Sequence, residues 1–463
     1  MTVANINRFI QLFADALAAL GAKVSMREIE SLAIMVHGAM ESKNRAYHNS
    51  SHVFQMCRGM DARQVLAALF HDVVYYQIDG GFPKLAAPLL ETLVRHENGV
   101  VTLNEIEPQD TGLQLCADLF EFKPGQVLPP TGGMNEFLSA ALAVRLLQPH
   151  LPTRDLIVIS ACITATVPFR GADAEGRSFA EALACRVREQ SRMLAILPDT
   201  AEFERQVTRS MHEIIKLGNR DVCGFAESNP AKFLTGTWQL IEESNASLAA
   251  VRVYTLQNYR GALVRMATFL AGLNPELVFR QYEHYPTDAE WARLNSATKK
   301  NLAFAADYLG AKIATIAILE ALAMETGGNC PVSMFLGDIR SAHGKPDRPK
   351  DFLPPAKKAA ADLQPQLLHV LEKGRAQESS MDLNASPLTA AIYWRLGQTG
   401  MQQTLVQAKR MFAGELSAQE FLQGLDRDLL RMITEVCAKI AISRSQLLTE
   451  LQARLAKNAA RGL

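Results

Sequence analysis

Two short clusters near the start of the chain hold the residue types that metal chemistry requires. His71 and Asp72 are adjacent, and upstream of them runs Tyr47-His48-Asn49-Ser50-Ser51-His52-Val53. On a helix, residues four apart share a face, so His48 and His52 point the same way if that stretch is helical. Neighbours on a helix stand about 100° apart, so His71 and Asp72 reach one ion only if it lies beside their helix edge. Two imidazoles with two carboxylates form a mixed nitrogen–oxygen ligand set. Such a set suits zinc, iron, manganese or magnesium and leaves positions open for water and substrate. Taken alone, the His-Asp pair reads as a histidine favoured by a helix C-terminus beside a solvated aspartate. The company it keeps argues for the metal: His37, His48, His52, His71 and His96, five of the ten histidines, fall within the first hundred residues.

At these residues the sequence resembles the HD superfamily of metal-dependent phosphohydrolases, whose hallmark is a His, then a His-Asp pair, then a distant Asp. Tyr47-His48-Asn49-x-x-His52 is similar to the motif of cyclic nucleotide phosphodiesterases and of related small bacterial HD proteins. The resemblance implies that His48 is the proton donor and His52 a metal ligand with His71 and Asp72. Phe70-His71-Asp72-Val73-Val74-Tyr75 resembles the aromatic-rich HD segment of the bacterial relatives. Asn135-Glu136-Phe137-Leu138-Ser139-Ala140 is similar to an Asn-Glu segment that closely follows HD in the family. The longer gap here implies an insertion over roughly 80–132. Gly218-Asn219-Arg220-Asp221-Val222 resembles the segment that supplies the final aspartate, so Asp221 is the expected fourth ligand, with Asp118 and Asp173 as rivals. The likeness spans about residues 30–245, and the C-terminal half matches no family by its motifs.

The chemistry implied is hydrolysis of a phosphoester, with a cyclic nucleotide the leading substrate. A nucleotidase or nucleoside-triphosphate hydrolase is the second reading, and a degenerate HD domain serving as nucleotide sensor or helical adaptor the third. One or two divalent ions (Zn, Mn, Mg or Fe) would offset phosphate charge and bring the pKa of water toward about 7. An imidazolium at His48 would protonate the leaving alkoxide. Tyr47 and Asn49 are placed to orient that ring or contact substrate, and Arg170 or Arg220 to meet a phosphate oxygen. Glu136 either holds the attacking water or caps the helix that opens after Gly133. His37, on an apolar helix, reads as a core histidine. His96 reads as part of a charged solvated face, with ligation of a second ion as the alternative.

The elements that must position these groups read as helices. Phe9, Phe13, Ala16, Leu17 and Leu20 follow a period near 3.6. Ser25 with Glu28, Asp61 with Gln64 and Ser417 with Glu420 read as capping boxes. Helical patterns recur over 135–147, 155–167, 178–197 and 201–217, in one long run over about 236–273, and over 288–324. Residues 79–85 and 121–133 read as loops, and no alternating strand stands out. The expected fold class is all-α, an HD-type helical bundle with an additional C-terminal helical region. The expected domains are 1–235 for the phosphohydrolase unit, 236–325 for a helical extension, 326–386 for a loop-rich connector and 387–463 for C-terminal helices.

Bulk properties narrow the partners. The 463 residues carry 48 basic and 48 acidic side chains, so no broad basic face for extended nucleic acid is expected. The expected partner is a small phosphoester or nucleotide, with homodimerisation through the C-terminal helices or a lid role for them. Seven scattered cysteines without a CxxC pair point to buried free thiols. Without a signal pattern at the start, or an apolar run of the ~18 residues that span a bilayer, the expected location is cytoplasmic and off the membrane.

Overall fold

The computed structural model describes residues 3–194, 200–250, 253–338, 347–355 and 358–460. The fold is mostly helical, and the chain divides into two compact units. The first holds residues 1–226 and 274–298; the second holds 227–273 and 299–463.

In the first unit the helices are α1 (Asn5–Ala19), α2 (Met26–Met40), α3 (Ser50–Met56), α4 (Ala62–Phe70), α5 (Tyr76–Asp79) and α6 (Ala87–Leu90). They continue with α7 (Thr111–Phe120), α8 (Met134–Leu147), α9 (Thr153–Thr164), α10 (Phe179–Leu194) and α11 (Ala201–Asp221). Helix α9 is buried from Asp155 to Thr164 on every side, as a helix apolar all round must be. It packs against α4, α7, α8, α10 and α11, which form a bundle around it. Both capping boxes read from the sequence here are present: Ser25 with Glu28 opens α2, and Asp61 with Gln64 opens α4. The helix expected over 178–197 is described only as far as Leu194; residues 195–197 lie outside the described residues.

One expectation fails in this unit. A β-hairpin, β1 (Val94–Glu97) and β2 (Val100–Leu103), is present where no strand was expected. Its turn is Asn98-Gly99, both at positive φ (51° and 79°), the pair that a tight two-residue hairpin favours. The stretch 80–132, expected as an insertion, contributes to the core. Helix α7 within it buries Leu113, Leu115, Cys116, Leu119 and Phe120 against α8 and α9, and so belongs to the core.

The second unit contains α12 (Pro230–Glu243), α13 (Leu256–Gly272), and the part of α14 (Asp288–Glu325) from Lys299 onward. It adds α15 (Ser333–Leu336), α16 (Pro349–Phe352), α17 (Pro365–Lys373), α18 (Pro387–Phe412), α19 (Ala418–Gln423), α20 (Arg427–Ile440) and α21 (Ser445–Ala460). The long helix expected over 236–273 is broken. Asn245 turns its amide back onto the Ile241 carbonyl (2.7 Å), a local bond that competes with helix continuation. Thr255 then opens α13 with a capping box to Asn258. The Ser417–Glu420 box opens α19 as expected. The boundary lies at 226/227 instead of 235, and 274–298, expected in the helical extension, belongs to the first unit. The physical reason is Arg280, whose backbone and guanidinium are bonded into that unit. Helix α14 contains an apolar window long enough to cross a bilayer, but 78% of that window is buried inside the fold, as a core helix requires.

Candidate metal centre

Asn49 starts the helix that carries His52. Its side-chain oxygen accepts from the Ser51 and His52 amides (2.9 and 3.4 Å), and its Nδ2 donates to the Ala46 carbonyl (2.8 Å). An asparagine in this role stabilises a helix start by about 1 kcal/mol. With the amide so engaged, Asn49 positions the helix that carries His52.

His71 ends α4, and the turn after it is held by Arg45. The Arg45 guanidinium is buried, donates to the Asp72 and Val73 carbonyls (2.6 and 3.2 Å), and makes a two-point ion pair with Asp79 (3.1 and 2.5 Å). From the other side, Ser139 Oγ accepts from the Val74 amide and Asn135 Oδ1 from the Tyr76 amide (3.0 and 3.1 Å). Helix α8 is thereby stitched to the residues that follow His71-Asp72, which brings the Asn135-Glu136 segment to the site across the long gap in sequence.

Asp221 is the last residue of α11. A carboxylate at a helix C-terminus is disfavoured by the helix dipole, so local propensity does not explain it. Gly218 permits the approach: a Cβ there would stand 2.5 Å from the Ala165 carbonyl oxygen, so α11 lies directly on the end of α9.

These segments bring four side chains together. His52 Nε2 lies 3.3 Å from His71 Nε2, 3.1 Å from Asp221 Oδ1 and 3.7 Å from Asp72 Oδ2. His71 Nε2 lies 2.8 Å from Asp72 Oδ2 and 3.7 Å from Asp221 Oδ1. Ligand atoms about 2.0–2.2 Å from one zinc ion stand roughly 3.3 Å apart at tetrahedral angles, so the spacings among His52, His71 and Asp72 fit a common cation, with Asp221 Oδ1 beside the two imidazoles. The proton inventory points the same way. His71 Nδ1 is 2.8 Å from the Ala68 carbonyl, which can only accept, so Nδ1 carries a proton and Nε2 of the neutral ring is a lone pair. The buried Asp72 Oδ2 then faces that lone pair with no hydrogen-bond donor among the described residues. Either a second proton on the ring or a cation must lie between them.

The electrostatics agree. Burial opposes charge on all three groups, yet their mutual attraction wins. His71 is pushed well above its usual pKa by Asp72 and Asp221. Asp72 is held below the ordinary carboxylate range by His71, with His48 and His52 adding to it. Hydrogen bonds from His52 and His71 lower Asp221 to about 2.

Around this core stand the other expected residues. His48 is half-buried, its ring 5.6 Å from that of His52 and 5.0 Å from that of Tyr75, and Tyr47 packs on both histidines (4.9 and 5.3 Å). Glu136, in the first turn of α8, is pushed up to about 7 by burial, with repulsion from Asp72 and Asp221 adding to it and Arg170 opposing it. Arg170 donates to the Gly132 carbonyl (2.6 Å) at the start of the same helix. Arg220 lies on the exposed side, directed to the Arg58 carbonyl (3.4 Å).

The rival and secondary residues are engaged elsewhere. Asp118 accepts from Gln114 and Gln190 (2.7 and 2.9 Å), and Asp173 pairs with Arg177 (2.7 Å). His37 packs edge-on to Phe9, and His96 bonds Tyr76 on the hairpin.

Two functional candidates escaped the sequence reading. Arg45 carries no motif of its own. Arg280 lies 59 positions beyond Asp221, and no local signal marks it. Asn219 fixes Arg280 through two backbone bonds of 2.8 Å, one donated to the Arg280 carbonyl and one accepted from its amide. The Arg280 side chain donates to the Ala165 and Val167 carbonyls at the end of α9. Comparison with known proteins finds no matching family model, no similar curated protein and no similar solved structure.

Proposed function

We propose that the chain is a metal-dependent phosphoester hydrolase of the HD type, with the ion held by His52, His71, Asp72 and Asp221. The observation that supports this most is the meeting of ligand atoms from His52, His71 and Asp72, with Asp221 beside the two imidazoles and with His71 Nε2 and the buried Asp72 Oδ2 2.8 Å apart after the Nδ1 proton is committed to Ala68. When bound, a divalent ion there offsets the charge on phosphoryl oxygens and acidifies water. The chain supplies the rest. Glu136, with a pKa near 7, is suited to take the proton of the attacking water at its carboxylate. His48 is the proton donor to the leaving oxygen, with Tyr47 packed against its ring to orient it. Arg170, beside Glu136, is the candidate for a phosphate oxygen.

The resemblance of Tyr47-His48-Asn49-x-x-His52 puts a cyclic nucleotide first as substrate. Hydrolysis of nucleotides or nucleoside triphosphates is the second reading, favoured by the arginine side chains on the Glu136 side of the site. A degenerate domain acting as nucleotide sensor or helical adaptor would purify without a stoichiometric ion. Metal analysis of the wild type and of Asp72→Ala, with substrate profiling in manganese or magnesium, tests the proposal. One ion or two per wild-type chain, lost in the variant together with turnover, is expected. A wild type that holds no ion and hydrolyses no phosphoester would overturn it.

A further inference from the structure

Three guanidinium groups converge on one aromatic ring beside the candidate metal centre. Phe179 opens α10, and Arg186 lies two turns later on the same face, its Cζ 5.9 Å from the ring centroid. Arg170 comes from the loop after α9, with Cζ at 5.8 Å, and Arg280 from the 274–298 segment, at 4.1 Å. Phe179 itself is buried. Such a gathering of like charges in a partly desolvated place costs free energy unless anions meet it.

The anions among the described residues that act on it are Glu121, Glu136 and Asp221, and none of them hydrogen-bonds Arg280 or the Arg186 Nε and Nη2. Arg186 pairs with Glu121, a largely exposed carboxylate, while its buried Nε and Nη2 have no hydrogen-bond partner. Arg280 spends both terminal nitrogens on the Ala165 and Val167 carbonyls, and its buried Nε is likewise unpartnered. Arg170 faces Glu136, which burial keeps partly protonated at neutral pH. Burial, with Arg170 next, lowers the Arg280 guanidinium to about 9, and the same two causes, opposed by Glu121, lower Arg186.

The backbone is arranged to hold this cluster. Phe169 sits at φ 57°, a left-handed conformation that is costly for an aromatic residue and that fixes how the chain leaves it for Arg170. Glu121, the partner of Arg186, is at φ 60°. Gly133, at φ 101°, leaves room for Arg170, since a Cβ there would stand 2.9 Å from Arg170 Nη2. The same glycine opens α8 without a side-chain cap, so the positive end of that 14-residue helix adds to the field. Asn219, two residues before Asp221, ties Arg280 to the ligand helix.

We propose that Arg170, Arg186 and Arg280 form a subsite for a second phosphate group next to the metal centre, so that the substrate is a polyphosphate ester, such as a nucleoside di- or triphosphate. A cyclic diester carries one charge and needs one cation beyond the metal. Three guanidinium groups around one ring are suited to a chain of phosphates: Arg186 keeps its Nε and Nη2 donors uncommitted, Arg170 adds a second guanidinium, and Arg280, its terminal nitrogens held by carbonyls, adds charge. This inference rests on the phosphoester reading above and decides between its two substrates for the second.

The test is calorimetric titration of the full chain, stripped of metal by chelation, with inorganic tripolyphosphate and with inorganic phosphate. Tripolyphosphate is expected to bind at least tenfold more tightly than phosphate. Arg186→Gln and Arg170→Gln are each expected to weaken it by about tenfold, with Arg186→Lys recovering part of the loss. Melting curves identify any variant that fails to fold, in which case the wild-type comparison of the two anions decides. Equal affinity for the two anions, or a folded Arg186→Gln that binds tripolyphosphate as the wild type does, overturns the subsite. A chain that binds tripolyphosphate but takes up no manganese keeps the subsite and removes the hydrolase reading. A manganese-loaded hydrolase indifferent to tripolyphosphate removes the subsite alone.

Discussion

His71 donates its Nδ1 proton to the carbonyl oxygen of Ala68, 2.8 Å away and three residues earlier in the chain. That bond sets the tautomer and aims Nε2 at His52, Asp72 and Asp221. It is the kind of outer support that orients metal-binding histidines, and here the helix backbone provides it without a further side chain.

Cation affinity should therefore rise with pH. In the metal-free chain burial opposes a charge on His71, but Asp72 and Asp221 outweigh it and hold the ring protonated at neutral pH. A cation must displace that proton, so the association constant is expected to rise about tenfold per pH unit below the ring's pKa. Manganese or zinc titrations at pH 6, 7 and 8, with proton release read in two buffers, measure this. An affinity independent of pH would show that Nε2 is not a ligand.

His48→Ala should lower turnover by about 10²–10⁴-fold while metal content stays at the wild-type level. The ring lies among Tyr47, His52 and Tyr75 and carries no ligand role, so the two readouts separate. Equal turnover in the variant would remove His48 as proton donor.

Glu136 should make the metal-free chain less stable as pH rises. Its folded pKa, about 7, lies above the ordinary 4.5, so its favourable contribution is complete below about 4.5 and is lost as pH climbs through 7. Glu136→Gln removes that loss. The variant should melt on the order of 5 °C above the wild type at pH 7.5 and with little difference at pH 4.5. Thermal scans across that range check it; a constant difference would assign the effect to packing.

Arg45→Lys keeps the charge but cannot span the Asp72 and Val73 carbonyls and both Asp79 oxygens at once. A loss of about 3 kcal/mol in stability is expected, with weaker metal binding because the Asp72 turn is released. Denaturant unfolding and metal titration report the two effects. Unchanged metal affinity would limit Arg45 to a stabilising role.

In the second unit, Asp382 accepts from Trp238 Nε1 (2.9 Å) and pairs with Lys312 and Arg375 (3.1 and 3.3 Å), all buried. Burial raises its pKa, but Lys312 and Arg375 hold it low, so its contribution is present at neutral pH and is lost as pH falls. Asp382→Ala strands two buried cations and should cost about 3–5 kcal/mol. Metal content should not change, and circular dichroism with metal analysis would register any departure.

How much of this was legible in the sequence depended on whether the cause was local. Ser25 with Glu28, Asp61 with Gln64 and Ser417 with Glu420 each act within four residues, and each helix start is present. The grouping of His52 with His71 and Asp72 was expected from the resemblance of their segments to the HD motifs, and Asp221 from likeness to a segment that supplies a distant aspartate. The Asn98-Gly99 turn was also written locally, but its strands are four residues each and β1, Val-Arg-His-Glu, has little apolar alternation. Arg45 and Arg280 were not legible, because their roles are bonds to carbonyls 27 and more than 100 positions away.

The four donors come from α3, the end of α4 and the end of α11, the last 169 positions beyond the first. No shorter stretch assembles the full set, so ion capture doubles as a readout of maturation. A chain emerging during synthesis would hold two imidazoles and one carboxylate long before the closing aspartate arrives. On the proposed ligand set, full-strength retention of the ion would then mark the moment at which α11 has joined α3 and α4, before 274–298 completes the first unit, and a chain cut before position 221 should leak it.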